Sequence, residues 1–129
     1  MKRLNIIGNR KEYSVKNLKF DYDKLNDLLY VYKTNSSVYS TVIIGKFHIE
    51  VNKGGEIVGI EVLRASETLG EYKISQKSLE NIQKIELKSV TRNNSSIIFL
   101  VIKSLNEEKS ATITMNNLDS PIMQAIGTA

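Results

Sequence analysis

The sequence predicts a single α+β domain dominated by strands, with antiparallel meander sheets and one or two short helices. Short runs of alternating apolar and polar residues recur along the 129 residues, and Gly, Asn, Asp and Ser separate them. The single proline, Pro121, is near the end, and no Gly/Ser-rich linker interrupts the chain. With 41% apolar and 25% charged residues, the composition is that of a globular protein with one core.

A first β-hairpin is predicted over residues 18–32. Asp23, Asn26 and Asp27 lie between two strand-like runs and suit a tight turn, because their side chains accept hydrogen bonds from nearby backbone groups. Period two places three side chains of each run on one face: Leu18, Phe20 and Tyr22, then Leu28, Tyr30 and Tyr32.

The segment FHIEVNKGGEIVGIEVL, residues 47–63, predicts a second hairpin. Gly54 and Gly55 suit the two central positions of its turn, which require positive φ angles. One face is then wholly apolar, and this fixes the register. The apolar pairs are Phe47–Val62, Ile49–Ile60 and Val51–Val58. The mixed face pairs His48 with Glu61, Glu50 with Gly59 and Asn52 with Ile57. Apolar residues on outward faces are expected at Ile57 and at Val31 or Leu29.

The second half of the chain predicts two short helices followed by strands. The segment 64–72 is expected to form a turn or a short helix that Ser66 caps and Gly70 ends, and Ser75 is expected to cap a second short helix. The run 97–102 is apolar at every position, which favours a strand covered on both faces. Strands are predicted over 84–91, 95–105 and 110–117, and a closing helix over 119–126.

Three parts are expected within the domain: a loosely attached basic segment, 1–17, a hairpin module, 18–66, and C-terminal strands and short helices, 75–126. The formal net charge is +4. The basic residues that could contact nucleic acid are Lys2, Arg3, Arg10, Lys11, Lys16 and Lys19. A solvated surface explains the same charge, so weak binding at most is expected.

Composition excludes several function classes. The chain has no cysteine, so disulfides, thiolate metal sites and cysteine nucleophiles are ruled out. Residues 1–13 hold too few apolar residues for a signal peptide, and no apolar run approaches the roughly 20 residues that cross a bilayer. A cytoplasmic protein without membrane contact is expected.

Two polar clusters are candidate binding sites. Asp21, Asp23 and Asp27 could bind a divalent cation, although turn formation explains them and a calcium loop would need further ligands. In the second cluster, Glu61 opposite His48 could orient an imidazole base, but no nucleophile accompanies it. A surface ion pair explains that cluster equally well. We therefore expect no catalytic residue, metal or cofactor. The binding candidates are His48, Glu50, Glu61, Asp21, Asp23 and Asp27.

The two hairpins resemble a prokaryotic family known as domain of unknown function 2283. Its first motif, Y-D-x-x-x-D-x-L-Y, is matched by Tyr22, Asp23, Asp27, Leu29 and Tyr30. Its second motif is matched by Gly55, Ile57, Val58, Gly59, Ile60, Glu61, Leu63, Ala65 and Ser66. The resemblance covers residues 20–66 and implies a compact module rich in strands, without an established activity.

Three functions remain open. A non-enzymatic protein-interaction or regulatory module comes first, with a protein partner or a homo-oligomer, because meander strands leave edges that another chain can pair with. Weak nucleic-acid binding through the basic segment and tyrosines is the alternative. A metal-dependent hydrolase using the carboxylates and His48 is third.

Overall fold

The computed structural model describes the backbone of residues 2–7, 10–93 and 95–116, and the side chains of residues 12–93 and 95–115. These residues form ten strands and two short helices. The strands are β1 (Lys2–Ile7), β2 (Arg10–Val15), β3 (Lys19–Asp23), β4 (Leu28–Tyr32), β5 (Ser40–Ile44), β6 (Phe47–Val51), β7 (Ile57–Val62), β8 (Ile82–Arg92), β9 (Ser95–Ser104) and β10 (Glu108–Asn116). The helices are α1 (Ala65–Gly70) and α2 (Gln76–Leu79). The helix predicted over 119–126 lies outside the described residues.

The strands form two antiparallel sheets of five strands each, so the prediction of a strand-dominated α+β class is confirmed. One sheet, β3-β4-β7-β6-β5, comes from the middle of the chain and is called the central sheet. The other, β1-β2-β8-β9-β10, comes from both ends of the described chain and is called the terminal sheet. Each sheet combines a hairpin with a three-stranded meander. Neither described helix is long and apolar enough to cross a membrane.

A single hydrophobic core takes one face of each sheet. Leu29, Ile49 and Ile60 are fully buried from the central sheet, and Ile98 and Leu100 from the terminal sheet. The alternation of buried and more exposed residues along β6 and β9 puts every second side chain into this core. Because both sheets depend on it, neither has an independent apolar interior.

The turn between β6 and β7 differs from the predicted two-residue turn. The N–H of Asn52 donates to the Glu56 carbonyl at 2.9 Å, so three residues lie between them. Gly55 has a φ of 83°, whereas Gly54 does not adopt the left-handed region. One positive φ at the end of a three-residue loop is the usual geometry of that turn.

A β-bulge absorbs the extra residue of this turn. Val51 pairs with Ile57 rather than with the predicted Val58, and the register shifts between Glu50 and Val51. The pairs from Phe47–Val62 through Glu50–Gly59 follow the predicted register. Their pairing was therefore predictable even though the turn type was not.

The prediction that some apolar residues of the two hairpins face outward is wrong. Leu29, Val31 and Ile57 are at most 2% exposed. In β4 the tyrosines face outward instead, so the two aliphatic residues turn into the core. The bulge interrupts the alternation of buried and outward side chains at Ile57, so Ile57 and Val58 are both buried.

The prediction that the run 97–102 is covered on both faces does not hold among the described residues. Ile98, Leu100 and Ile102 are buried, but Ile97 is 36% exposed and the alternate residues remain partly accessible. In the described part of the chain, β9 is flanked by β8 and β10 within its own sheet, and one of its faces packs in the core.

One of the two predicted helix caps is confirmed, and the other is wrong. The Ser75 hydroxyl accepts from the Ser78 N–H and caps α2 as expected. Ser66 lies inside α1, which begins after Arg64 without a side-chain cap. Its side chain bonds Asp27 instead, a contact between residues far apart in sequence.

Candidate functional site: the outer face and free edge of the central sheet

Four of the six predicted binding residues, Asp21, His48, Glu50 and Glu61, share the outer face of the central sheet. Strand pairing places the outer-face residues in two rows. The first row comprises Asp21, Tyr30, Glu61, His48 and Ile43. The second comprises Lys19, Tyr32, Gly59, Glu50 and Thr41. This face bears charged and aromatic groups, whereas the opposite face of the same strands is core.

The predicted pair of His48 and Glu61 forms as a cross-strand contact. The Nδ1 of His48 lies 3.8 Å from the Glu61 Oε1, and the side chains are 29% and 37% exposed. A solvent-accessible pair at this separation contributes roughly 0.2–1 kcal/mol when the imidazole is protonated. The contact orients the histidine without supplying the nucleophile that a hydrolase would need.

Tyr30 connects the two rows through Glu50. Its hydroxyl donates to the Glu50 Oε1 at 2.7 Å, and its ring stacks on Tyr32 with centroids 5.0 Å apart. Partial burial, together with the Glu50 carboxylate, raises the pKa of Tyr30 to about 12. The Glu50 carboxyl also lies over Gly59, where a side chain would collide with it. The outer face is therefore partly preorganised.

Asp27 does not belong to this face, because it connects the first hairpin to α1. Its carboxylate accepts from the Tyr22 hydroxyl at 2.6 Å, the Ser66 N–H at 2.9 Å and the Ser66 hydroxyl at 2.6 Å. Burial acts to raise its pKa, but hydrogen bonds from Ser66 and Tyr22 outweigh burial and lower the pKa below the usual value. This constellation stabilises the fold.

Asp23 has the turn-forming role that its sequence position indicates. Its carboxylate accepts from the Asn26 side chain at 2.7 Å and from the Asn26 N–H at 3.1 Å. These hydrogen bonds lower the pKa of Asp23. The three aspartates of the D-x-D-x-x-x-D pattern thus have separate environments. Within the part of the chain that the structure describes, no His, Asp and Glu side chains group as a metal site would require.

The basic candidates are distributed over several strands. Lys2 and Arg3 lie in β1, and Arg10 and Lys11 in β2, which pairs with β8 of the terminal sheet. Lys16 follows β2 and is exposed. Lys19, at the start of β3, occupies the outer face of the other sheet. Of the six, the structure describes the side chains of Lys16 and Lys19, and these two follow or begin strands of different sheets.

Sequence reasoning did not identify β5 as an edge strand. Among the residues that the structure describes, β5 pairs with β6 alone, and its residue Ile43 is 67% exposed. The preceding residues Val38 and Tyr39 are 48% and 63% exposed. The signal that could have revealed this feature is the run 35–44, NSSVYSTVII, which has no charged residue. An uncharged, β-branched edge invites pairing with another strand.

The other three edge strands in the described part of the chain carry charge. β1 contains Lys2 and Arg3, β3 is KFDYD, and β10 begins with Glu108 and Lys109. In addition, the Tyr72 hydroxyl donates to the Thr112 carbonyl of β10 at 2.8 Å. Charges and covering groups are the usual protection of a sheet edge, and β5 lacks the charges.

A cleft lies beside the start of β5, between the loop 33–39 and the β6–β7 turn. Lys53 lies 6.0 Å from the centre of the Tyr39 ring. The lining residues include no carboxylate and are Lys33, Asn35, Ser36, Ser37, Val38, Tyr39, Asn52, Lys53 and Gly54. Two ammonium groups beside an exposed aromatic ring could receive an anionic group.

Comparisons with known proteins identify a family and a similar protein. The family described as "Protein of unknown function (DUF2283)" matches residues 19–66. An uncharacterised protein of Methanocaldococcus jannaschii is 35% identical over 86 residues, which cover 67% of this chain and 71% of that protein. No solved structure matches the chain significantly. The family segment spans all five strands of the central sheet and the start of α1.

Proposed function

The chain belongs to the DUF2283 family of proteins of unknown function, and on that premise we propose that it is a non-enzymatic protein-interaction or regulatory module that self-associates through β5. The observation that carries the proposal is the combination of an uncharged edge strand with the exposed apolar residue Ile43. An edge of this kind offers backbone hydrogen bonds and apolar contact to a second strand.

The outer face supports the same proposal. It continues from Ile43 through His48 and Glu61 to the stacked tyrosines and on to β3, so a partner at β5 would meet a fixed set of polar groups. Tyrosine is enriched in protein interfaces because it combines apolar area with a hydrogen-bonding group. Preorganised side chains also lower the entropy lost on association.

Light scattering and sedimentation over micromolar concentrations test self-association. The wild-type protein is expected to show a concentration-dependent dimer, and Ile43→Lys to be monomeric, because a lysine would place a charge on the pairing edge. The matched control is Ile97→Lys, which introduces the same residue at a partly exposed isoleucine of the terminal sheet. A wild-type protein that stays monomeric throughout would contradict the proposal, as would equal effects of the two substitutions.

A second candidate function, weak binding of single-stranded nucleic acid, is favoured by the cleft at Lys33, Lys53 and Tyr39. Lysines would contact phosphates while the exposed ring stacks on a base. A gel-shift titration at low and moderate salt is the test, since affinity that depends on phosphate contacts must fall steeply with salt. Tyr39→Ala is expected to weaken binding; absence of binding at low salt would exclude this function.

A further inference from the structure

The hydrogen-bonding direction of β5 follows from its neighbours. The Leu63 N–H donates to the Lys46 carbonyl at 2.9 Å, so every second residue from Lys46 along β6 directs its backbone groups to β7. The intervening residues of β6 direct theirs to β5, where they oppose Ser40, Val42 and Ile44. The remaining residues of β5 are therefore the ones that direct N–H and C=O to the free edge.

Those remaining residues are Thr41 and Ile43, whose side chains are also exposed on the outer face. They lie on either side of Val42, whose half-buried side chain packs against the core. A strand that adds to this edge must then be apolar on its inner side and uncharged on its outer side. β5 itself has both properties.

We propose that two copies of the chain pair their β5 strands antiparallel about a two-fold axis at Val42. Thr41 of each copy exchanges two backbone hydrogen bonds with Ile43 of the other, and the two Val42 residues face each other between these bonded pairs. The two central sheets, of five strands each, then form one continuous sheet. This inference rests on the proposed function and specifies its partner as a second copy.

The geometry favours a closed dimer rather than a filament. A two-fold interface uses the same strand from both copies, so pairing consumes the edge that makes it possible. The opposite edge of the central sheet, β3, carries Lys19, Asp21 and Asp23. Charged residues on that edge disfavour a second joining of the same type.

Single cysteines test the position of the axis, because the natural chain has none. In the proposed register the two Val42 Cα atoms are about 4.5 Å apart, within the range of a disulfide. Val42→Cys is expected to form a covalent dimer under mild oxidation. The Ile43 Cα atoms would be roughly 9 Å apart, beyond that range, so Ile43→Cys alone is expected to remain uncross-linked.

Two controls make this test specific. Leu25→Cys, at a residue that is 92% exposed in the β3–β4 turn, measures cross-linking by random collision. A mixture of Thr41→Cys and Ile43→Cys chains is expected to form mixed dimers. Self-linkage of either of these two variants above the Leu25→Cys level would show a different register and overturn the proposed axis.

Ile43→Pro supplies an independent variant. The Ile43 N–H is not used within the sheet, so a proline is tolerated at this position. Each chain then loses one donor of an interchain hydrogen bond. Folded monomers are expected, with Ile43→Val remaining dimeric. Dimers of the wild type together with no linkage through Val42→Cys would overturn the two-fold axis at Val42, whereas self-association through β5 is tested separately by Ile43→Lys. A monomeric wild type would instead contradict the proposed function itself.

Discussion

Asp27 shows how one residue can hold distant segments of the chain together. Its carboxylate binds Ser66, which is 39 residues away, and its own carbonyl accepts from the Ala65 N–H at 2.8 Å. Its φ of 52° lies in the left-handed region, which Asp and Asn tolerate better than most residues. The family motifs at Asp27 and Ser66 therefore have a structural explanation in these contacts.

Asp27→Asn is expected to lower the free energy of unfolding by about 1–3 kcal/mol at neutral pH, because charge-assisted hydrogen bonds are lost. The folded-state pKa is lowered, so this contribution is complete above the unfolded pKa of about 4 and disappears as pH falls through the folded pKa. Denaturant unfolding measured from about pH 2 to about pH 7, a range that brackets this pKa, tests the prediction. The difference between wild type and variant should shrink in acid.

The exposed residue Asp21 provides a control for this prediction. Asp21→Asn is expected to change stability at neutral pH by less than about 0.5 kcal/mol, as is usual for surface substitutions. A penalty for Asp21→Asn as large as that for Asp27→Asn would contradict the assigned role of Asp27.

Gly59 and Glu50 should be energetically coupled. Gly59→Ala is expected to cost about 1 kcal/mol, because the new methyl group displaces the Glu50 carboxyl from Tyr30. In a Glu50→Ala background the same substitution should cost nothing, since the obstructing group is absent. A double-mutant cycle by chemical denaturation measures the coupling, and additive costs would contradict it.

The pairing of His48 with Glu61 was predictable because it follows from hairpin register alone. The partner of Asp27 was not, because no local pattern indicates which distant residue will meet a turn aspartate. Glu50 lies opposite Gly59 as the hairpin register predicts, but its hydrogen-bond partner Tyr30 lies on β4, which is separated from β6 by β7. Sequence reasoning therefore found the outer face and missed its internal connections.

At the scale of elements, the β6–β7 turn shows which features the alternation of apolar and polar residues predicts and which it does not. The apolar pattern determines which faces meet, but a two-residue turn and a three-residue turn with a bulge both satisfy it. The backbone hydrogen bond between Asn52 and Glu56 distinguishes the two. It is supported by the Asn52 side chain, whose Oδ1 accepts from the Glu56 N–H at 3.0 Å.

The two glycines of this turn should respond differently to substitution. Gly55→Ala is expected to cost about 1–2 kcal/mol, because an L-residue is strained at a φ of 83°. Gly54→Ala should cost much less, since the φ of Gly54 is not in that region and the new methyl group would lie 3.4 Å from the Asn52 Oδ1, an ordinary contact distance. Thermal unfolding of both variants measures the difference. Equal costs would favour the two-residue turn.

At the scale of the whole molecule, the shared core makes the two sheets one cooperative unit. Leu100→Ala, at a fully buried residue of the terminal sheet, is expected to cost about 2–5 kcal/mol. Amide hydrogen exchange should then show equal loss of protection in both sheets, because each covers the other. Loss confined to the terminal sheet would contradict a single core.

Ile97→Ala is the matched control on the opposite face of the same strand. Ile97 is 36% exposed, so its truncation is expected to cost under about 1 kcal/mol. The alternation within β9 thus gives two aliphatic truncations that differ in burial.

The strand-dominated class was predictable because period-two alternation is a local property. The division into two sheets was not predictable, because it depends on the pairing of β2 with β8. All five strands of the central sheet lie between these two strands in the sequence. Length and composition indicate one core. They do not indicate that the strands before and after the central sheet in the sequence will pair into a second sheet that covers it.

That arrangement also sets an order of events during synthesis on the ribosome. The five strands of the central sheet are synthesised before β8, so their apolar side has no cover from β8–β10 until those strands have followed them out of the ribosome. β2 must likewise wait for a partner whose first residue is Ile82. Such delayed, long-range pairing slows folding and prolongs exposure of apolar surface. A premature stop before β8 would therefore release a chain prone to aggregate.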